Sequence, residues 1–240
     1  MFRFVSLFIL LLTLIGCKKK ATIVGNLPQI LSVKVPHQHN SIPILILDAG
    51  HGGNDPGGIN DSLQLYEKNV TRSIVDAIVR YADTTKIKII QTRIGDQATN
   101  RHDRIKYANK YNPDLLLTIH TNYDKDTTIN GYELSYSDST LKFYSPIDTV
   151  NQKNPFANEL TNYCNIMRQG ITRNFPTLKQ RKLAIRKDHI WMIYAGHYPS
   201  LLLEFGFITN RNDVAIMQNK KAITTLAKSL LVSLYQILNT

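Results

Sequence analysis

Cysteine is nearly absent from this sequence. The 240 residues contain only Cys17 and Cys164, so a fold stapled by several disulfides is excluded. A long apolar run is also missing, because the uncharged stretch 4–15 is too short to cross a bilayer comfortably. Internal repeats and low-complexity tracts do not occur. What remains is a chain long enough for one compact domain with an ordinary apolar core.

Acidic residues are also few relative to basic residues. Asp and Glu total 18 against 29 Lys and Arg, which gives a formal net charge of +11 at pH 7. Such a balance is typical of proteins that bind nucleic acid or an anionic surface. A lysine-rich proteome would give the same balance without a specific partner, so the charge alone identifies none.

The N-terminal residues have the order of an export signal. Arg3 supplies a positive charge, residues 4–15 form an apolar core, and Leu14-Ile15-Gly16-Cys17 follows. A small residue before a cysteine at this point resembles the lipobox of bacterial lipoproteins, in which cleavage leaves a diacylated cysteine as the first residue. The alternative is a short membrane anchor with an incidental cysteine. We expect an exported protein, anchored to the membrane by lipid on Cys17, that meets anionic phospholipid or wall polymer and no nucleic acid.

The same signals divide the chain into three parts. We expect a signal peptide over 1–16, the lipidated cysteine and a tether over 17–42, and one domain over 43–240. Pro28 and Pro36 interrupt any long helix in the tether. With lipid on Cys17, Cys164 has no disulfide partner, and we expect it to be a buried apolar side chain in a helix.

Two hydrophobic periods alternate along the domain. Continuous apolar runs of strand length indicate strands buried on both faces, and apolar residues at helical spacing indicate amphipathic helices between them. Strand and helix taking turns predict a single α/β domain, with a mostly parallel central sheet of about six strands and helices on both faces. The predicted strands are 44–47, 86–92, 115–119, 132–136 and 201–203, and the predicted helices are 67–82, 100–109, 157–170 and 222–238.

The residues with the most chemistry come where predicted strands end. The first strand runs into 48–57, where four of ten residues are glycine and His51 lies in the middle. The third strand ends in His120 and the last in Glu204, while Glu67 opens the first helix. In open α/β sheets the carboxyl ends of the strands form the ligand crevice, so these four side chains are expected to share one site.

The side-chain types in this group fit a zinc hydrolase. Two imidazoles and a carboxylate with a free fourth position form the ligand set of a catalytic zinc site, and His51, Glu67 and His120 supply it. Glu204 would take a proton from the activated water and deliver it to a leaving amine. His51 alone is as often structural, and Glu67 could simply complement the dipole of the first helix. Glu204 has the weakest alternative, because a carboxylate ending an apolar strand is costly to bury without a partner.

Six short segments occur in an order and with spacings that are specific when taken together. They are 47–53 (LDAGHGG), 66–69 (YEKN), 92–93 (TR), 100–109, 117–122 (LTIHTN) and 203–210 (LEFGFITN). From about Ile44 to the C-terminus the chain resembles the zinc-dependent N-acetylmuramoyl-L-alanine amidases of type 3. The resemblance implies that His51, Glu67 and His120 bind Zn²⁺ and that Glu204 is the catalytic carboxylate. It also implies the substrate, the amide between the lactyl group of N-acetylmuramic acid and L-alanine of the peptidoglycan stem peptide.

Two stretches depart from the family pattern. The family usually has Ser-Ile-His-Ala-Asn where this chain has Thr118-Ile119-His120-Thr121-Asn122, and both changes keep the histidine. Residues 137–155 lie roughly where regulated members carry an autoinhibitory helix, but here the stretch is polar and contains Pro146 and Pro155. We expect a surface loop at the substrate groove there.

Several other residues are weaker candidates. Arg181 stands where the family often has an arginine facing the groove, and it would bind a muropeptide carboxylate unless it is one more basic surface residue. Asn122, in the motif of His120, is the second candidate for substrate binding. Asp48 either orients a metal-bound imidazole or caps its strand. Trp191, Tyr194 and Tyr198 line the groove or pack in the core. The histidines assigned to surface or tether are His37, His39, His102, His189 and His197, and His197, close before the Glu204 strand, is the only one of them that is also a candidate groove residue.

Two other functions compete with the amidase. One is a lipid-anchored, non-catalytic peptidoglycan-binding module that kept the fold, although all four site residues are intact. The other is a zinc hydrolase of a different peptidoglycan bond, which shares the metal chemistry. The sequence leaves open the membrane leaflet, the need for a protein activator and the cellular role, and a monomer is our default expectation.

Overall fold

The computed structural model describes residues 41–141, 151–186 and 190–239. The predicted signal peptide, Cys17, nearly all of the tether with His37 and His39, and also His189, lie outside the described residues. The divisions predicted at 16 and 42 therefore stay predictions.

Strands and helices alternate along the described chain, with a short 3-10 helix at Asp61–Leu63. The strands are β1 Ile44–Ala49, β2 Ile59–Asn60, β3 Leu65–Tyr66, β4 Lys88–Gln91, β5 Leu115–Asn122, β6 Tyr132–Ser137, β7 Ser139–Leu141, β8 Asn151–Lys153, β9 Ala184–Arg186 and β10 Ser200–Phe207. The helices are α1 Glu67–Tyr81, α2 Arg101–Asn109, α3 Ala157–Asn174, α4 Trp191–Tyr194, α5 Arg211–Gln218 and α6 Lys220–Leu238.

Six of the strands form the central sheet, in the order β4-β1-β5-β10-β6-β9. β4, β1, β5 and β10 are parallel, whereas β6 is antiparallel to β10 and β9 is parallel to β6. The predicted α/β domain with about six, mostly parallel strands is confirmed. β9 was not predicted, because three residues are too few to show a period.

The two faces of the sheet bury different amounts of apolar surface. Odd-numbered strand residues such as Leu45, Leu117 and Leu203 belong to the main core, whereas Ile46 and Leu116 belong to a smaller cluster on the other face. Successive strand residues point to opposite faces, so the even-numbered positions that end these strands lie on the smaller-core side. That side therefore carries the polar residues Asp48, His120 and Glu204 at its carboxyl edge.

Helices cover both faces, as predicted. α1, α3 and α6 contribute to the main core, and each fully buried Leu or Ile adds roughly 1.5–3 kcal/mol. α2 and α4 cover the smaller cluster with Ile105, Ala108 and Met192. Cys164 of α3 is buried, as expected, and forms no disulfide with a described residue. Among the described residues, none of the helices is both long and apolar enough to cross a membrane.

The predicted end of α3 is wrong. The helix continues past Gly170 to Asn174. A Cβ at position 170 would lie 2.7 Å from Ser233 Oγ and 3.1 Å from Ser229 Oγ of α6. The glycine therefore lets two helices approach closely and does not terminate the first one.

The prediction of a loop over 137–155 also needs correction. Ser137 ends β6, and β7 pairs with β8 in a separate antiparallel ladder. Residues 142–150, with Pro146, lie outside the described residues. The stretch thus contains a two-stranded ribbon in its described part.

Candidate metal centre and active-site cavity

The carboxyl ends of three parallel strands meet at one edge of the sheet. β1 leads into His51, His120 lies near the end of β5, and Glu204 lies near the end of β10. His120 and Glu204 are register partners on adjacent parallel strands, so their side chains leave the sheet side by side.

Three donor atoms converge above this edge. His51 Nε2 lies 3.1 Å from His120 Nδ1 and 3.1 Å from Glu67 Oε1, and His120 Nδ1 lies 3.0 Å from the same oxygen. Ligand atoms 2.0–2.1 Å from a tetrahedral metal would lie about 3.3 Å apart, so the triangle has the size that a small divalent cation requires. These residues can therefore hold a metal ion.

The electrostatics of the group also favour a cation. Burial lowers the pKa of His120, but its hydrogen bond to Glu67 and the negative charges of Glu204, Glu67 and Asp48 raise it to about 9. A position that holds a proton this strongly is one where positive charge is stabilised. A metal ion there would compete with that proton.

Glu67 is placed by its position at the start of α1. Its Oε2 accepts a hydrogen bond from Gly58 N at 2.7 Å, and its Oε1 accepts one from Thr121 N at 2.9 Å. Gly57 has a φ of +68°, and a Cβ there would lie 2.6 Å from both Glu67 Oε2 and His51 Cδ2. Glycine is required at 57 because the turn passes directly against two candidate ligands.

His51 is held in a left-handed backbone conformation, with a φ of +62°. A turn closed by hydrogen bonds between Gly52 and Asp55 follows it, and Asp55 Oδ2 lies 2.9 Å from His51 Nδ1. This contact fixes Nδ1 as the hydrogen-bonded nitrogen and leaves Nε2 for the metal, as outer-shell carboxylates do for ligating histidines. Asp55 was not among the residues predicted for the site; an acid four residues after the histidine in a glycine-rich loop was the available signal.

Two buried arginines fix the loop that carries His51. Arg93 donates to Ala49 O at 2.9 Å and to Gly50 O at 3.1 Å, and Arg104 donates to Ala49 O at 2.6 Å and to His51 O. The backbone carbonyls at the end of β1 and in the loop therefore accept hydrogen bonds from charged guanidinium groups instead of from water. Both arginines lie in segments that resemble the family, 92–93 and 100–109, but no role was predicted for either.

Asp48 binds Arg104 and no imidazole. Its carboxylate accepts from Arg104 Nη1 at 2.9 Å, from Thr118 Oγ1 at 2.6 Å and from Thr92 Oγ1. Burial raises the pKa of Asp48, but the charge of Arg104 and the hydrogen bonds from Thr118 and Thr92 outweigh it, so the pKa lies below its usual value. Of the two interpretations left open, neither describes Asp48, which is half of a buried ion pair under the loop.

Glu204 has a different environment. Its Oε2 is buried and has no hydrogen-bond partner among the described residues. Burial raises its pKa, the charge of His120 lowers it, and the charges of Glu67 and Glu133 raise it again, to about 7. A carboxyl of this kind both accepts and donates a proton near neutral pH.

A cavity of about 880 Å³ opens beside the metal triad. Its lining includes both histidines of the triad, residues 98–101, Arg104, Ile190, Trp191 and Met192. The volume is in the range of small-molecule sites.

The comparisons with known proteins agree with this geometry. The family model described as N-acetylmuramoyl-L-alanine amidase matches residues 45–236. The chain belongs to this amidase family. A putative N-acetylmuramoyl-L-alanine amidase of Buchnera aphidicola subsp. Baizongia pistaciae is 28% identical over 208 residues, which cover 80% of this chain and 94% of that protein. The amidase LytC of Bacillus subtilis is 26% identical over 207 residues, covering 84% of this chain and 38% of LytC.

Solved amidase structures share the fold. The amidase AmiC2 of Nostoc punctiforme superposes with a TM-score of 0.68 at 21% identity, covering 82% of this chain and 98% of that one. The CwlD amidase of Clostridioides difficile, solved in complex with the GerS lipoprotein, gives a TM-score of 0.65 at 21% identity, covering 82% of this chain and 98% of that one. The sheet and helices described above are therefore those of an amidase catalytic domain.

The amidase site does not bring every predicted residue into the cavity. Among the described residues, Trp191 lines it, whereas Tyr194 and Tyr198 are buried in the core. The guanidinium carbon of Arg181 lies 5.1 Å from the centre of the Phe207 ring, and its Nε lies 4.0 Å from Glu133, outside the cavity lining.

The structure also locates Asn122, His197 and His102, none of which lines the cavity. Asn122 lies two residues after His120, on the same face of β5 but outside the cavity lining, so substrate binding by Asn122 and Arg181 stays a prediction. His197 is exposed, and His102 is exposed with its ring centre 4.5 Å from that of Trp191.

The Asp48–Arg104 pair predicts how the amidase responds to acid. A carboxyl whose pKa is lowered on folding stabilises the protein at pH values above its pKa in the unfolded chain, about 3.9. This stabilisation is lost as the pH falls through the lower pKa of the folded state. Asp48→Asn should lower the free energy of unfolding at pH 7 by about 3 kcal/mol, because it leaves Arg104 buried without its anion. Thermal melts between pH 2 and 7 should show that the variant loses less stability on acidification than the wild type. The control Asp61→Asn, at an exposed site, should track the wild type; equal acid slopes for Asp48→Asn and wild type would contradict the prediction.

Proposed function

We propose that this amidase cleaves the bond between the lactyl group of N-acetylmuramic acid and L-alanine of the stem peptide. In this proposal His51, Glu67 and His120 hold Zn²⁺, and Glu204 is the catalytic residue that moves the proton. The single observation that carries the proposal is the buried, unpartnered oxygen of Glu204 beside three converging ligand atoms.

Zinc is the metal that this ligand set favours. Imidazole nitrogen and carboxylate oxygen in a three-protein-ligand site are typical of catalytic zinc, whereas Mg²⁺ and Ca²⁺ prefer all-oxygen sites. When bound, zinc would supply Lewis-acid activation of water and of the scissile carbonyl.

The protein side chains supply the rest of the reaction. Asp55 holds His51 in the orientation that presents Nε2, and two backbone N–H groups hold the Glu67 carboxylate. Glu204 removes a proton from the attacking water and then delivers it to the nitrogen of the departing L-alanine. Because Glu204 Oε2 has no hydrogen-bond partner among the described residues, this oxygen has no such bond to break before it acts.

We propose that the protein works at the cell wall and is held there by lipid on Cys17, which the family and the N-terminal sequence together support. Replacing Cys17 with Ala should abolish the incorporation of labelled fatty acid into the protein and leave the signal peptide uncleaved. Fatty-acid labelling of a stable Cys17→Ala variant at the level of the wild type would contradict the lipid anchor.

Digestion of purified peptidoglycan by the full-length protein tests the proposed function. Mass spectrometry should detect free stem peptides that begin with L-alanine, and a chelator should abolish them until zinc is restored. Peptides released by cleavage at another bond would reassign the substrate while keeping the metal site. No products from a folded, zinc-loaded protein, even with candidate activator proteins added, would favour the non-catalytic binding module.

A further inference from the structure

We propose that Arg101 is a specificity-determining residue that binds a carboxylate of the stem peptide in the cavity beside the metal centre. The inference rests on the proposed function for its substrate and on the cavity for its location. Arg101 is the first residue of α2 and lines the cavity, and it is exposed.

The backbone that carries Arg101 is fixed relative to the metal ligands. Asn100 caps α2 by accepting from Asp103 N at 2.9 Å. One turn further, Arg104 ties the helix to the Thr99 carbonyl at 2.9 Å and to the Ala49 carbonyl at 2.6 Å. Arg104 therefore links α2 to the loop that presents His51, and Arg101 is held on a rigid element at the wall of the cavity.

An aromatic residue of the same cavity is also held in place. Trp191 lines the cavity, and the ring of His102 packs on it with 4.5 Å between ring centres and 53° between planes. His102 adjoins Arg101 in the sequence, so this contact links the segment that carries Arg101 to Trp191. A peptide in this cavity would have an apolar surface to pack on and a guanidinium within the same pocket.

The charges of the cavity point to an anionic ligand group. Asp48 and Arg104 neutralise each other, and Asp55 is bonded to His51. Arg101 has no acidic partner within the described residues. A guanidinium recognises a carboxylate by two parallel hydrogen bonds, which gives it geometric selectivity as well as charge.

The substrate has carboxylates on one side of the scissile bond only. The lactyl–sugar side of an N-acetylmuramoyl amide is uncharged, whereas the stem peptide carries acidic groups. Arg101 therefore assigns the cavity to the departing peptide. Arg181 is a poorer candidate for this role, because it lies against Phe207 and near Glu133, outside the cavity lining.

Calorimetry with two synthetic peptides tests the inference on the zinc-loaded, full-length protein. The probes are L-alanyl-γ-D-glutamyl-L-lysine and the same peptide with both carboxyl groups amidated. The wild type should bind the acidic peptide about tenfold more tightly than the amidated one, as a charge-assisted pair at a partly open site would give. Arg101→Gln should reduce this ratio to about one, and Arg101→Lys should retain part of it. Lys106→Gln, which removes an equal charge from an exposed position of α2 outside the cavity lining, should keep the wild-type ratio.

The outcomes separate this inference from the proposed function, because binding does not require hydrolysis. An unchanged ratio in Arg101→Gln would overturn the inference and would indicate that the metal itself binds the carboxylate. Equal binding of both peptides to the wild type, or no binding of either at millimolar concentration, would overturn it as well. Hydrolysis of peptidoglycan by Arg101→Gln, with a raised KM and a kcat close to that of the wild type, would support it.

Discussion

Glu204→Gln should lower the rate of amide hydrolysis about a thousandfold, the middle of the range for loss of a general acid–base group. The amide side chain fills the same volume but can neither take the proton from water nor return it to the leaving nitrogen. It also removes the charge from a side chain whose Oε2 is buried without a hydrogen-bond partner among the described residues, so the fold should become no less stable. The variant should bind zinc with the stoichiometry of the wild type.

The measurement is single-turnover hydrolysis of a muropeptide, with zinc content and melting temperature recorded for the same samples. Glu159→Gln, at an exposed position of α3, is the matched control and should keep the wild-type rate. Full activity in a folded, zinc-loaded Glu204→Gln protein would show that another group moves the proton.

His120→Ala should remove zinc binding and activity together. The nitrogen of His120 lies 3.0 Å from Glu67 Oε1 and 3.1 Å from His51 Nε2, so its loss takes away one of three donors. The affinity for zinc should fall by more than the ~10–100-fold that loss of an outer-shell partner costs. Gly50 packs so closely against the His120 ring that a Cβ at position 50 would lie 2.3 Å from the ring. The variant therefore also loses contacts with the start of the loop that carries His51.

Competition with a chromophoric chelator measures the affinity, and denaturant unfolding checks the fold. His197→Ala, at an exposed histidine on the segment before β10, should bind zinc like the wild type. Unchanged zinc affinity in a folded His120→Ala protein would mean that the metal lies elsewhere.

The sheet could be predicted because its strands are uniform in burial. Leu115–Leu117 and Leu201–Leu203 are apolar without alternation, since both faces of the sheet are covered. The site at the ends of these strands could also be predicted, because a histidine or glutamate directly after an apolar strand indicates a functional site. His51, Glu67 and His120 were expected together, and the structure brings them together.

What the sequence could not provide depends on contacts between distant segments. Gly170 was predicted to end α3, because glycine is common just past the end of a helix. The reason for this glycine is instead its close approach to α6 at Ser229, 59 residues further along the chain. Arg93 and Arg104 bond to the carbonyls of residues 49–51, a pairing with no local period. The cavity wall at Trp191 belongs to α4, a helix of four residues, which is too short to produce an amphipathic pattern.

Hydrolysis in water enriched in ¹⁸O identifies the bond that the amidase cleaves. A defined N-acetylmuramoyl-peptide is incubated with the zinc-loaded, full-length protein, and the masses of both products are measured by mass spectrometry. We expect one ¹⁸O atom in the lactyl carboxylate of the muramic acid product, none in the peptide, and a free L-alanine amino group. Label in a carboxyl group of a peptide fragment, with the lactyl amide intact, would contradict this expectation.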